Sequence, residues 1–515
     1  SRYTGWGTLA RLLPVAGLDR QESIALLSAQ VPHIPPATAD ELATEIGDLP
    51  LAAAQAAAFL AQTGMPATRY LSLLRTRRAD LLARDDIGER GGSVRTAVEL
   101  SMARLREESP AAAGVLELAS CFGHAPIPLD LLRSHPTMFA EPLRSVIADE
   151  LAFAVALAAL TRYSLATLRG EDLEVHRLVQ DVLRNALPEP AQDALERQIE
   201  AMLGATEPGN PENPASWPGF ARLRPHVLAA KGGADAGFRR LTLDCGRYLL
   251  ARGDAASCLR LADDAAARYD VALGPLADDT LAAMHLAALA SWKLGDNARS
   301  FELNQAVFAA LRDKHGGHHP MTLASANNLA ISLGSVGRHD EAARLASETL
   351  AARQLVLGEQ NPATLASVTT VIALLIGIGE IEEARVDSED LLAQSRKLLG
   401  PDHPSTLVAE HNLAVVLAQL GEYEPSVALG EDVLARRQRV LGEQHPDTLR
   451  SMHNLAIGLA ALGRSAPAQQ LAEQAAEGLA GMLGENHPET VRARRLASGE
   501  VDPSGEHPAP EPLPS

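Results

Sequence analysis

A chain of 515 residues is too long for one ordinary domain, so several folded units are expected. Its 46 Lys and Arg against 65 Asp and Glu leave a formal charge of −19, which argues against nucleic-acid or anionic-membrane partners held by charge. Hydrophobic residues make up 46% but aromatics only 3%, so the cores are expected to be Ala-, Leu- and Val-rich packed helices. Cys121, Cys245 and Cys258 are too scattered for a disulfide framework or a metal pair, which fits a reducing, cytoplasmic setting. The apolar run Leu151 to Leu160 is about half of a bilayer span. Residue 1 is Ser and no targeting signal follows, so a piece of a longer protein is expected.

In chain order, Leu9 to Ala83 reads as helical, with Asp19 capping RQESIALLSA and Thr38 or Asp40 starting ADELATEIG. Gly47-Asp48-Leu49-Pro50 interrupts, and Pro50 is tolerated because it falls in the first turn of the next helix. Val94 to Leu187 follows with helices near Thr96–Arg106, Ala111–Phe122 and Arg144–Leu160. A hairpin is predicted from Tyr163–Leu168, the turn 169–172 and Leu173–Val175. Helices followed by a hairpin suggest a winged helix. Residues 95–187 carry 9 Arg and no Lys against 12 acidic residues, so the electrostatic footprint of a DNA reader is missing. Gly204 to Pro218, dense in Pro, Gly and Asn, reads as a linker.

The C-terminal half repeats with a period of 42. Pro320, Pro362, Pro404, Pro446 and Pro488 mark one register, Gly274 to Gly484 a second, and Gly253 to Gly463 a third. Each unit reads as a helix pair: Pro-x-Thr-Leu opens the first helix, with Thr448 a candidate cap, and the third glycine register ends it. The second helix, as in Asp340 to Leu357, has one apolar face that only stacked neighbours can bury. About six pairs are expected, the first, around Arg239 to Ala272, sharing only the glycine register. The His-Pro histidines His403, His445 and His487 fall one per repeat and cannot converge on a metal. His315, His318 and His319 have no acidic or Cys complement, so no metal site is expected.

The HPxTL start, xNLA centre and LG ending of these units resemble tetratricopeptide repeats of the kinesin-light-chain type, over about half the chain. That resemblance implies a concave groove in which Asn328, Asn412 and Asn454 hydrogen-bond an extended peptide backbone; the alternative is that they tie neighbouring helices together. Arg353, Arg396 and Arg437 are expected either to grip an acidic partner or to be solvated surface charge. Four places in the N-terminal half resemble the C-terminal part of an NB-ARC module, the nucleotide switch of STAND-class ATPases. SRYTGW looks like the end of the sensor strand, GDLPLA like the GLPLA motif, EVHRLVQ like the winged-helix MHD motif, and WPGFARLRPHV like the bridge to the repeats. The resemblance implies that Arg2 feels the terminal phosphate, that Gly47, Leu49 and Pro50 pack on the base, and that His176 contacts the β-phosphate of ADP. Asp48 stands where the family usually has Leu, and Val175-His176-Arg177 where it has Met-His-Asp.

The expected fold is therefore mainly α: a helical NB-ARC subdomain over 1–90, a winged helix with a small β-hairpin over 95–188, a bridging helix and linker over 189–235, and a right-handed α-solenoid over 236–500. Residues 501–515, Pro-rich and acidic, are expected to be disordered. No GxxxxGK[ST], GxSxG or HExxH is present, so the chain offers no catalytic or metal residues, and ADP or ATP is expected only in a longer protein. The leading functional expectation is a regulatory scaffold whose repeats bind a protein or peptide and couple it to an ADP/ATP switch, with self-association on activation as a corollary. A plain interaction adaptor with a degenerate NB-ARC remnant, or a winged-helix transcriptional regulator, are the alternatives. No membrane or nucleic-acid partner is expected.

Overall fold

In the computed structural model the described residues are 18–82, 89–485 and 487–499. Arg2 and the tail 501–515 lie outside them. The chain divides into two units: residues 1–206 with 222–235, and residues 207–221 with 236–515. The segment 189–235, read as a bridge, is thus shared between the two.

The N-terminal unit opens with α1 (Arg20–Gln30), α2 (Pro36–Ile46), α3 (Pro50–Thr63) and α4 (Ala67–Leu82). Asp19 does cap α1, within a reciprocal capping box closed by Glu22. α2 starts at Pro36, ahead of Thr38 and Asp40, because a proline at the first helical position has no N–H to leave unpaired. The unit continues with α5 (Glu89–Glu108), α6 (Pro110–Cys121), β1 (Ile127–Pro128), α7 (Leu129–Arg133), α8 (Leu143–Ala148) and α9 (Glu150–Arg162). The stretch read as one helix from Arg144 to Leu160 is two, since the Asp149 side chain accepts from the Ala152 N–H and starts α9 afresh.

β2 (Thr167–Arg169) and β3 (Asp172–Glu174) form the expected hairpin, shorter than predicted because Tyr163 to Leu165 close α9 in a turn, with the Leu165 N–H on the Leu160 carbonyl. β1 adds a third strand in the order β1-β3-β2, pairing Ile127 with Leu173. α10 (Arg177–Ala186), α11 (Glu189–Gly204) and α12 (Trp217–Ala229) follow.

The second unit is an array of six helix pairs and one further helix: α13 (Ala236–Ala251), α14 (Ala255–Leu273), α15 (Asp278–Lys293), α16 (Asn297–His315), α17 (Pro320–Ser335), α18 (His339–Leu357), α19 (Pro362–Ile378), α20 (Ile381–Leu399), α21 (Pro404–Gln419), α22 (Tyr423–Val440), α23 (Pro446–Ala461), α24 (Ser465–Leu483) and α25 (Pro488–Ala497). The caps of α17, α21, α23 and α25 are the His of His-Pro, not the Thr, while α15 follows Ala277 with no side-chain cap. His319, His403, His445 and His487 each accept through Nδ1 from the N–H two residues on, and Asn361 does the same with its Oδ1. The threonines point backwards: Thr322 donates to the Leu311 carbonyl and Thr406 to the Ser395 carbonyl at 3.3 Å, tying each pair to the one before. Gly337 ends α17 with φ +81°, a conformation that favours glycine.

Adjacent repeats are stitched by buried charge. Arg353 and Arg437, 1% and 0% exposed, are neither solvated nor free to grip a partner. Arg353 donates to the Ala363 carbonyl and Ser367 Oγ; Arg437 donates to the Asp447 carbonyl at 2.7 Å and Ser451 Oγ at 2.8 Å. Arg396 and Arg436 both pair with Glu410, whose side chain is fully buried.

Candidate functional site

In the N-terminal unit GDLPLA and EVHRLVQ, the two described sequences expected to face a nucleotide, form two corners. Gly47 and Asp48 are both left-handed, at φ +69° and +53°, and turn α2 into α3, where Leu49 is the cap and Pro50 the first helical residue. Asp48 accepts a two-pronged pair from Arg20 at 2.9 and 2.8 Å, and those bonds hold its carboxylate below the usual range. His176 is exposed and caps α10, its Nδ1 accepting from the Leu178 N–H at 3.2 Å.

In the array the two asparagines with the clearest partners follow one rule. Asn328 Nδ2 lies 2.7 Å from His285 Nε2, and Asn454 Nδ2 3.0 Å from His411 Nε2. Each pair joins first helices of adjacent repeats. Burial holds His285 down at about 4 and His411 well below its ordinary value, so both rings are neutral at pH 7 and Nε2 can accept. Asn412 is buried, and Thr370 takes the equivalent place one repeat earlier. The asparagines do not converge. Asn328 lines one cavity, Asn454 a small separate one with His411, and Asn412 neither.

The cavity at Asn328 measures about 260 Å³ and lies inside the coil. Its wall is mainly apolar, with Leu243, Leu289, Trp292 and Ile331 among the lining side chains, and Trp217 reaches it from the segment 207–221. Polar groups interrupt the wall. Asn304 (1% exposed) donates to Ser332 Oγ at 2.6 Å, while its Oδ1 has no partner. Lys293, Asp447 and Arg450 line it as well. The Lys293 ammonium lies 5.2 Å from the Trp292 ring centroid, and burial lowers it to about 8 despite the attraction of Asp447 and Glu489. Asp447 is tied to Arg450 at 2.6 Å.

The coil that encloses this space touches itself. His445 Nε2 sits 2.7 Å from the Ala251 carbonyl, 194 positions away. A Cβ on Gly253 would lie 2.3 Å from Pro446 Cδ, and one on Gly295 would lie 3.1 Å from His487 Nε2. The second contact is the first moved on by one repeat, so a seam runs between successive turns, each of between four and five repeats. Sequence reading placed these histidines in equivalent loops but gave no sign of the seam.

Residues 279–355, 363–439 and 410–480 match the family model of the tetratricopeptide repeat. The chain belongs to the tetratricopeptide-repeat proteins. Its repeats are similar to a putative kinesin light chain from Podosopora anserina with nearly identical TPR-like repeats: 30% identity over 39% of this chain and 95% of that one, with a TM-score of 0.33. Along 94% of its length this tetratricopeptide-repeat chain has the fold of a STAND protein with a tetratricopeptide repeat sensor from Pyrococcus horikoshii, at 14% identity and a TM-score of 0.50, and it spans 63% of that protein. Residues 103–191 match a domain of unknown function (DUF7779). No curated protein matches the chain. Among the described residues no group of His, Cys, Asp and Glu could hold a metal ion, and no helix is long and apolar enough to cross a membrane.

Proposed function

We propose that the chain is the sensing and coupling part of a nucleotide-switched regulatory scaffold. In this reading the tetratricopeptide array takes up its partner inside the coil, and the N-terminal unit relays occupancy to an ADP/ATP site completed by residues outside those described here. The observation that carries the reading is the chamber at Asn328: a largely apolar space with a few polar groups in its wall is the usual form of a binding site. Support for the coupling half comes from the fold shared over 94% of the chain with a STAND protein that carries a tetratricopeptide sensor. The partner shifts the switch only as far as it prefers the open form; a hundredfold preference corresponds to about 2.7 kcal/mol.

In a protein that includes the phosphate-binding part, His176→Ala should speed ADP release about tenfold, read by a fluorescent ADP analogue; an unchanged rate overturns the nucleotide role. A plain adaptor is the second reading, favoured by one observation: His176 and Leu49–Pro50 already serve as helix-start residues.

A further inference from the structure

We infer that the chamber inside the coil is a receptor for a compact apolar ligand bearing a single negative group, with Lys293 as the partner of that group. The inference deepens the reading of the array as a sensor and rests on it for its biological sense, though not for its test.

Size comes first. At about 260 Å³ the chamber falls just below the roughly 300–1,000 Å³ of ordinary small-molecule pockets. The seam keeps it so, because His445 on Ala251 and Pro446 against Gly253 hold one turn of the coil on the next. An extended chain, at about 3.3 Å per residue, could place only a few residues in a space of this size.

Charge comes second. The other luminal Arg side chains are already engaged: Arg247 pairs with Asp244 at 2.8 Å, Arg450 with Asp447 at 2.6 Å, and Arg437 donates to the Asp447 carbonyl and Ser451. Among the described residues Lys293 has no carboxylate within ion-pair distance and no hydrogen bond; its ammonium is left with the Trp292 ring and the more distant fields of Asp447 and Glu489. A ligand anion would restore the solvation this amine loses on burial. The unpartnered Oδ1 of Asn304, fully buried in the same wall, adds an acceptor for a donor group on the ligand. The apolar walls supply the rest of the affinity.

The test uses the whole chain and 8-anilinonaphthalene-1-sulfonate, an apolar probe with one sulfonate, alongside the uncharged N-phenyl-1-naphthylamine. Trp292 and Trp217 line the chamber, so occupancy is read by loss of their emission to the probe. The expected result is saturable one-to-one binding of the sulfonate that Lys293→Met weakens about tenfold and Lys293→Arg largely keeps, while the uncharged probe binds both variants equally. Absence of saturable binding, or equal sulfonate affinity in wild type and Lys293→Met with matching circular dichroism, overturns the inference. Failure here leaves ADP release in His176→Ala untouched, and failure there leaves this binding curve untouched, so the two readings fall separately.

Discussion

The N-terminal unit and the repeat array solve the same problem, burial of apolar helix faces, in opposite ways. The N-terminal unit uses solutions that occur once: a capping box at Asp19, a two-pronged Arg20–Asp48 pair, and Arg184 reaching from α10 to the Ser120 and Phe122 carbonyls. The array uses one solution many times, with polar and charged side chains buried between repeats: Arg353, Glu410, Arg437 and the Asn–His pairs. A buried charge or neutral imidazole depends on its partner in a way that a surface pair does not. The array should therefore be the chemically fragile part of the molecule.

The largest expected effect is at Glu410. Glu410→Ala leaves the half-exposed Arg396 and the mostly buried Arg436 without their shared anion, and the array should lose about 3–5 kcal/mol in urea unfolding followed by Trp292 emission. A loss below about 1 kcal/mol would break the contrast between the regions.

Acid comes next. Burial holds His285 and His453 at about 4, below the ordinary 6.5, so between these values the unfolded chain binds protons that the folded array refuses. Stability is complete above the unfolded value and falls as pH drops from about 6.5 towards 4. From pH 7 to pH 5 each should cost on the order of 1–2 kcal/mol. Replacing His285 and Asn328 together by Leu and Ala should flatten this slope; an unchanged slope sinks the assignment.

The smallest effect is at the seam. His445→Asn keeps the helix cap, as Asn361 does naturally, and loses only the bond to Ala251, so about 1 kcal/mol is expected. Its sharper signature is a larger radius of gyration by small-angle scattering. His403→Asn, at an equivalent cap with no bond across the seam, is the control and should leave the radius unchanged.

The repeat was legible because a left-handed helix end, as at Gly337, strongly favours glycine and so writes the period into the sequence. The hairpin was legible, but not the third strand beside it, since Ile127–Pro128 is too short to show alternation. The arginines were misread because charge alone does not reveal burial; the serines fourteen positions on, Ser367 after Arg353 and Ser451 after Arg437, are a signal that could have corrected them. Likewise His285 before Asn328 and His411 before Asn454, each pair 43 apart, announce the helix-to-helix bonds. The seam and the chamber were not legible, because coil pitch accumulates from small rotations per repeat that no local pattern encodes. At the Gly47–Pro50 corner, the departure to Asp48 has a local cause in Arg20.

The contact of His445 with Ala251 has a consequence for how such a protein can evolve. An open solenoid is additive in its neighbours and tolerates gain or loss of a unit anywhere along it. Once turns touch, repeats between four and five apart in sequence share an interface, and removing one unit shifts Pro446 off Gly253 and His487 off Gly295 together. The number of repeats then behaves like the circumference of a barrel: a quantity that must come out right, so that duplication, the usual source of variety in repeat proteins, is here held in check by geometry.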